Sequence, residues 1–304
     1  EKVPHTFYAT IENGQLTNHI DLLEGEPYEA PLLPFGGTEA IAWSPDSKSI
    51  VYTSKKLTGK EYAESTNSDL YLYSLEDRTT VNITEGMMGY DVNPQFSPDG
   101  KQIAWLSMER DGYEADKNRL FVMDMITKEK TYLTEAYDNN VDAFIWNTDN
   151  KTLFFISTVE AKAQLFSIDI HTKKVKSITA GKHDYTSLAL GKGTLIATRQ
   201  SMSMPSEIYA VNVNSGEAKE LSFENRDILD QLTMGNVEER WIPTTDGKEM
   251  LTWVVYPPNF DASKKYPAIL YCQGGPQSAV SQFWSYRWNL QMMAANGYIV
   301  VAPN

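Results

Sequence analysis

The chain has 304 residues, 41% of them hydrophobic and 12% aromatic, enough apolar material for one large core or two modest ones. Its 27 Lys and Arg against 40 Asp and Glu give a net charge of −13, which repels phosphate backbones and anionic lipid and so excludes nucleic acid as an expected partner. The most apolar stretch near either end, residues 298–302, is far shorter than the roughly 20 residues that cross a bilayer. Cys272 is a single thiol, and His5, His19, His171 and His183 lack the short spacing of helical zinc motifs; neither a disulfide, a metal nor another cofactor is expected.

In chain order, residues 5–20 read as a hairpin, with Phe7-Tyr8-Ala9-Thr10-Ile11 as a strand and Asn13-Gly14 as its turn. A repeat follows. Ala42-Trp43-Ser44-Pro45-Asp46 returns as Gln95-Phe96-Ser97-Pro98-Asp99-Gly100, and a degraded copy is Ile145-Trp146-Asn147-Thr148-Asp149-Asn150. Ser44, Ser97 and Asn147 fall 53 and 50 residues apart, and a fainter copy ends in Gly191-Lys192-Gly193-Thr194. Each copy pairs an apolar strand end, a tight turn and an alternating strand. A second strand motif follows each one, at Asp69-Leu70-Tyr71-Leu72-Tyr73, Arg119-Leu120-Phe121-Val122-Met123, Gln164-Leu165-Phe166-Ser167-Ile168 and Glu207-Ile208-Tyr209-Ala210-Val211, with a last short strand after it. Four strands in about 50 residues is the signature of a β-propeller blade. The expected first domain, residues 1–236, is therefore a partial propeller: a blade remnant over 1–35, then four repeats. Trp43, Trp105 and Trp146 are expected in the packing between blades.

After residue 236 the period breaks. Glu239-Arg240-Trp241-Ile242, the turn Thr245-Asp246-Gly247-Lys248, and residues 250–256 predict an antiparallel hairpin; Ala268-Ile269-Leu270-Tyr271 predicts a buried strand. Gln273-Gly274-Gly275-Pro276 makes a Gly-rich turn, apolar residues at helical spacing predict a helix over 284–296, and residues 298–302 form the next buried strand. Strand, Gly-rich turn, helix and strand after a hairpin is how an α/β-hydrolase domain opens, so residues 237–304 are expected to be the start of one. The fold class is mainly β, a partial propeller of about four blades followed by this α/β opening.

These motifs together resemble the prolyl oligopeptidase family of serine peptidases. The carriers are the Trp/Phe-Ser-Pro-Asp blades, the hairpin with Thr245-Asp246-Gly247-Lys248, Tyr266-Pro267 leading to Gly274-Gly275-Pro276, and Val301-Ala302-Pro303-Asn304. The stretch from Gly274 to Trp284 is particularly similar to bacterial dipeptidyl peptidases of the type-five subgroup, within the acylaminoacyl-peptidase and dipeptidyl-peptidase branches. Many relatives carry His where this chain has Gln273. The resemblance implies a peptide substrate, a propeller that admits short or unstructured peptides, acidic residues that hold the substrate amine, and a periplasmic or secreted location. The chain begins at Glu1 without a leader, so any signal peptide is expected to have been removed or left out.

Acyl transfer needs a nucleophile, a base, an orienting acid and donors aimed at the oxyanion. Gly-x-Ser-x-Gly occurs nowhere in the sequence, and no His follows Ser278 or Ser281; this chain therefore holds no catalytic residue of the triad, which is expected past residue 304, and on its own is expected to be inactive. The loop Gln273, Gly274, Gly275 is the candidate oxyanion and substrate loop, because glycine lets the main chain approach a carbonyl closely; the plain alternative is a tight turn. The carboxylate-rich insertion at 109–117 supplies the amine candidates Glu109, Glu114 and Asp116, against the plain reading of a solvated loop. Asn82-Ile83-Thr84 and Asn150-Lys151-Thr152 match the glycosylation pattern without carrying weight. A propeller that only binds protein or peptide is the alternative function; it leaves residues 237–304 unexplained. Unpaired blade edges make a homo-oligomer an open expectation.

Overall fold

The tight turns place the strands. In the computed structural model, which describes residues 3–33, 36–274 and 278–304, each Ser-Pro-Asp motif closes on itself through side chains. Ser44 Oγ donates to Asp46 Oδ1 at 2.6 Å and accepts from the Ser49 N–H at 2.9 Å, while Ser47 takes a left-handed φ of 59°. In the next copy Ser97 Oγ donates to Asp99 Oδ1 at 2.7 Å and accepts from the Gln102 N–H at 3.0 Å, and Gly100 holds φ at 70°. In the degraded copy Asp149 accepts from the N–H groups of Lys151 and Thr152 at 2.8 and 2.9 Å, and Asn150, a residue tolerant of the left-handed region, supplies φ 57°. Register repeats as well: Trp43 pairs with Ile50, Phe96 with Ile103 and Trp146 with Leu153.

Four antiparallel four-stranded meanders result. Their strands are Ile41–Trp43, Ser49–Ser54, Asp69–Ser74 and Thr80–Asn82; Asp91–Phe96, Gln102–Ser107, Arg119–Asp124 and Lys130–Tyr132; Ala143–Trp146, Thr152–Val159, Lys162–Asp169 and Val175–Ser177; and Asp184–Gly191, Thr194–Ser201, Met204–Val211 and Ala218–Glu220. A device invisible in the hydrophobic pattern closes each one. The N–H groups of Leu70, Leu120, Leu165 and Ile208 donate to the hydroxyls of Thr84, Thr134, Thr179 and Ser222 at 2.9, 3.0, 3.0 and 2.8 Å, each pair 14 residues apart. Replacing buried Thr179 with valine should cost about 1–3 kcal/mol by leaving the Leu165 N–H without its acceptor. The shift in urea midpoint at constant slope measures it, and an unchanged midpoint would rule the device out as a stabiliser.

The chain folds as two compact units, one of residues 1–140 with 148–152 and 170–173, the other of 141–147, 153–169 and 174–304. The first holds the hairpin of Phe7–Glu12 with Gln15–Asp21, whose turn residues Asn13 and Gly14 both have positive φ, and the first two blades. Its core joins Val51, Leu70, Ile103, Trp105 and Met123. Tyr52 and Trp105, at matching positions of the second strand in each blade, are fully buried and stack on Tyr71 and Phe121 with centroids 5.6 and 5.5 Å apart. Trp43 corrects the expectation that it packs between blades. It ends a first strand, in the position of Phe96 and Trp146, and is 50% exposed, with the ring of Tyr8 edge-to-face against it at 6.3 Å. Trp105 and Trp146 are buried.

In the second unit Phe155 stacks on Phe166 in the same way at 5.4 Å, and the third and fourth blades share a core that includes Ile156, Leu165, Tyr185, Leu195 and Tyr209. The terminal sheet runs in the order Val237–Pro243, Glu249–Val255, Ile299–Pro303, Ala268–Leu270; its last pair is parallel and the others antiparallel. Trp253, Val255, Val280, Leu290 and Val300 fill its core. Gly235 precedes it, where a Cβ would lie 1.8 Å from the Tyr256 carbonyl oxygen. The helix is shorter than expected: only Leu290–Ala295 is helical. Ser285 Oγ accepts from the N–H groups of Arg287 and Trp288 at 3.2 and 2.8 Å, a serine turn that competes with helix, and Asn289 caps the true start by accepting from the Met292 N–H at 2.9 Å.

Candidate functional site

Ala268–Leu270 runs parallel to Ile299–Pro303, and the Tyr271 N–H still donates to the Val301 carbonyl at 2.8 Å, so the chain leaves the sheet at Cys272. Gln273 and Gly274 are exposed there, and a Cβ on Gly274 would meet nothing within 4 Å. Gly275, the third residue of the candidate oxyanion loop, lies outside the described residues. Ser278 bridges the turn: its hydroxyl is 3.2 Å from Gln273 Nε2 and 3.4 Å from the Gly274 carbonyl. Beyond it, buried Val280 is clamped at both backbone groups. Its N–H donates to Asn304 Oδ1 at 2.7 Å, and its carbonyl accepts from Asn304 Nδ2 at 3.2 Å and from the Trp253 indole at 2.9 Å. An exposed glycine turn on a rigid base can present backbone N–H groups to a developing oxyanion.

The acidic insertion belongs to the first unit, and its three candidate carboxylates are engaged unequally. Asp116 accepts from Arg110 at 3.2 and 3.3 Å and from the N–H groups of Glu109, Arg110 and Lys117. Burial works to raise its pKa, but Arg110 and these N–H groups outweigh it and hold the carboxyl at about 2. Asp116 thus builds the loop. Glu109 lies 3.7 Å from Arg119, whose guanidinium is already bound to Ser107 and the Met108 carbonyl. Glu114 accepts from the Tyr90 hydroxyl at 3.3 Å. Glu109 and Glu114 are therefore the members of the trio with capacity left for a ligand cation.

The same loop docks through a residue outside that trio. Asp111 Oδ1 accepts from Ser65 Oγ and the Thr66 N–H, both at 2.7 Å, and the Gly112 N–H returns to Thr66 Oγ1 at 2.9 Å. Ser65 follows the short helix Gly59–Glu64, in which Tyr62 meets Glu29 and Lys55. A separation of 45 or 46 residues hides this cluster from local pattern. Among the described residues no three His, Cys, Asp or Glu side chains gather as a metal-binding group.

Comparison with known proteins places this geometry. The TolB β-propeller domain model, PD40, matches residues 38–228, which span all four meanders. The chain belongs to that propeller family. Beyond the propeller it is similar over all 304 residues to dipeptidyl-peptidase 5 of Porphyromonas gingivalis and of Porphyromonas endodontalis, at 53% identity to each. The chain spans 44% of the length of these relatives. Among solved structures, the acylaminoacyl peptidase of Pyrococcus horikoshii superposes with a TM-score of 0.73 at 20% identity, over 96% of this chain and 42% of that one. The similarity to the dipeptidyl-peptidase 5 relatives thus takes in the TolB-type propeller, the exposed Gly274 turn and the terminal sheet as one continuous match.

Proposed function

We propose that the chain is the propeller and the opening of the catalytic domain of a serine exopeptidase that releases dipeptides from short peptides through an acyl-enzyme. The observation that carries this reading is 53% identity to dipeptidyl-peptidase 5 running without interruption from the propeller through the terminal sheet. A propeller serving only to bind protein accounts for residues 38–228 and gives the strand, turn, helix and strand of 249–303 no purpose. In the peptidase reading the boundary falls at residue 236, and the terminal sheet is the first part of an α/β-hydrolase fold. The Gln273–Gly275 loop contributes an oxyanion donor, Glu109 or Glu114 meets the substrate amine, and the serine, acid and histidine come from sequence past residue 304. The same resemblance supports a periplasmic or secreted location.

A fluorophosphonate probe tests the reading. It should label the full-length protein at one serine and leave the 304-residue chain unlabelled. Stoichiometric labelling of the 304-residue chain, or a full-length protein that neither reacts nor hydrolyses a dipeptidyl-coumarin, would overturn it.

A further inference from the structure

Within the second unit, the core of the terminal sheet also takes in two propeller turns. In the third and fourth blades the second and third strands are joined by residues 160–161 and 202–203. Ala161 and Met202 from these turns pack with Trp253, Val280 and Leu290. Glu160 and Ala161 both hold left-handed φ, of 47° and 54°, which turns the hairpin tightly and seats the Ala161 methyl in that core. Lys162 beside them pairs with Glu239 of the first strand of the terminal sheet at 3.3 Å, and the Trp241 indole donates to the same carboxylate oxygen at 3.2 Å.

One side chain ties blade, connection and helix together. Gln291, in the helix Leu290–Ala295, is 4% exposed. Its Oε1 accepts from the Gly235 N–H at 2.8 Å, and its Nε2 donates to the Gly235 carbonyl at 2.9 Å and to Ser203 Oγ at 2.8 Å. Gly235 lies on the connection from the fourth blade to the terminal sheet, and the next carbonyl, of Asn236, accepts from the Tyr256 N–H at 3.0 Å. A free hinge leaves such backbone groups to water; here they are bonded to the protein.

We propose that Gln291 is a positioning residue for peptide hydrolysis: it clamps Gly235 and the Ser203 turn, so that the opening of the catalytic domain keeps one setting on the fourth blade throughout turnover. The proposal rests on the peptidase reading. A buried amide whose acceptor and two donors are all engaged has one orientation of low energy, and that orientation fixes the blade turn, the connection and the helix to one another. Leucine in its place keeps an apolar side chain in the core and leaves three polar groups without partners, so the joint loosens while the sheet stays packed. A displacement near 1 Å at a reacting centre, even one that originates far from it, lowers turnover by about a hundredfold.

The test uses full-length protein carrying Gln291→Leu, Ser203→Ala or, as control, Thr179→Val, which removes a buried acceptor from the third blade and touches none of the joint. For Gln291→Leu we expect amide exchange at Gly235 to quicken about tenfold, and kcat on a dipeptidyl-coumarin to fall about tenfold with KM within about twofold. Ser203→Ala should move both in the same direction by less, and Thr179→Val should lower the urea midpoint and move neither. In the unsubstituted protein, exchange at Gly235 should stay within about twofold when a fluorophosphonate is bound. Unchanged exchange in Gln291→Leu, faster exchange with unchanged kcat, a loss of kcat matched by Thr179→Val, or exchange at Gly235 that quickens about tenfold on labelling overturns the proposal. If the full-length protein hydrolyses no peptide, the peptidase reading fails by itself and takes the catalytic role of Gln291 with it, while exchange at Gly235 still decides whether the joint is clamped.

Discussion

Replacing Asp91 with asparagine is expected to stabilise the protein by up to about 4 kcal/mol above pH 7 and to change little near pH 4. Asp91 has no exposed surface, and burial, outweighing the Ser107 hydroxyl and the Trp105 indole, pushes its pKa up to about 7. An unfolded chain releases that proton near 3.8, the ordinary value for an aspartate. Between these values the folded state binds more protons than the unfolded state, so stability falls as pH rises through the window and levels off above it. Asparagine keeps an oxygen for the Trp105 indole and never ionises, so the variant escapes the fall. Asp69 and Asp184, also raised by burial, act in the same direction, and the variant should flatten the profile without abolishing it. Urea unfolding from pH 4 to 8 is the measurement; parallel curves for the two proteins would show that Asp91 does not hold the proton.

Removing the indole of Trp253 should have an effect of comparable size. The ring is fully buried among Val255, Val280, Leu290 and Val300, and its N–H meets the Val280 carbonyl at 2.9 Å. Trp253→Ala is expected to cost about 3–5 kcal/mol through the cavity. Trp253→Phe, which keeps an aromatic ring and loses the N–H, should cost about 1–2 kcal/mol. Amide exchange locates the damage: protection should drop in the strands of 249–255 and 299–303 and persist in 102–107 and 119–124 of the first unit. Equal loss of protection everywhere would contradict a core local to the second unit.

The asymmetry between these two sites reflects how each was made legible. Trp253 lies in the largely apolar run 250–256, which the sequence marks as a hairpin strand. Asp91 stands between Tyr90 and Val92 with no motif of its own, and its burial depends on residues 14 and 23 positions away. The acidic insertion makes the same point. Glu109, Glu114 and Asp116 look alike in sequence, and the fold ties Asp116 into its own loop, gives Asp111 a docking role and leaves Glu109 and Glu114 more lightly engaged.

By itself the sequence determined the blade period, the strand positions, the turn residues and the change of pattern after residue 236. These depend on chemistry within about five residues: a serine hydroxyl closing on an aspartate two residues later, a glycine or asparagine at positive φ, alternation along a strand. Only the tertiary structure decided the exposure of Trp43, the late start of the Leu290–Ala295 helix, the hydroxyl that closes each blade from 14 residues away and the clamping of Val280 by Asn304 and Trp253. Each of these depends on which donor or ring another part of the chain brings near. A buried carboxylate is tolerable only where such donors converge, and their convergence is a property of the folded chain.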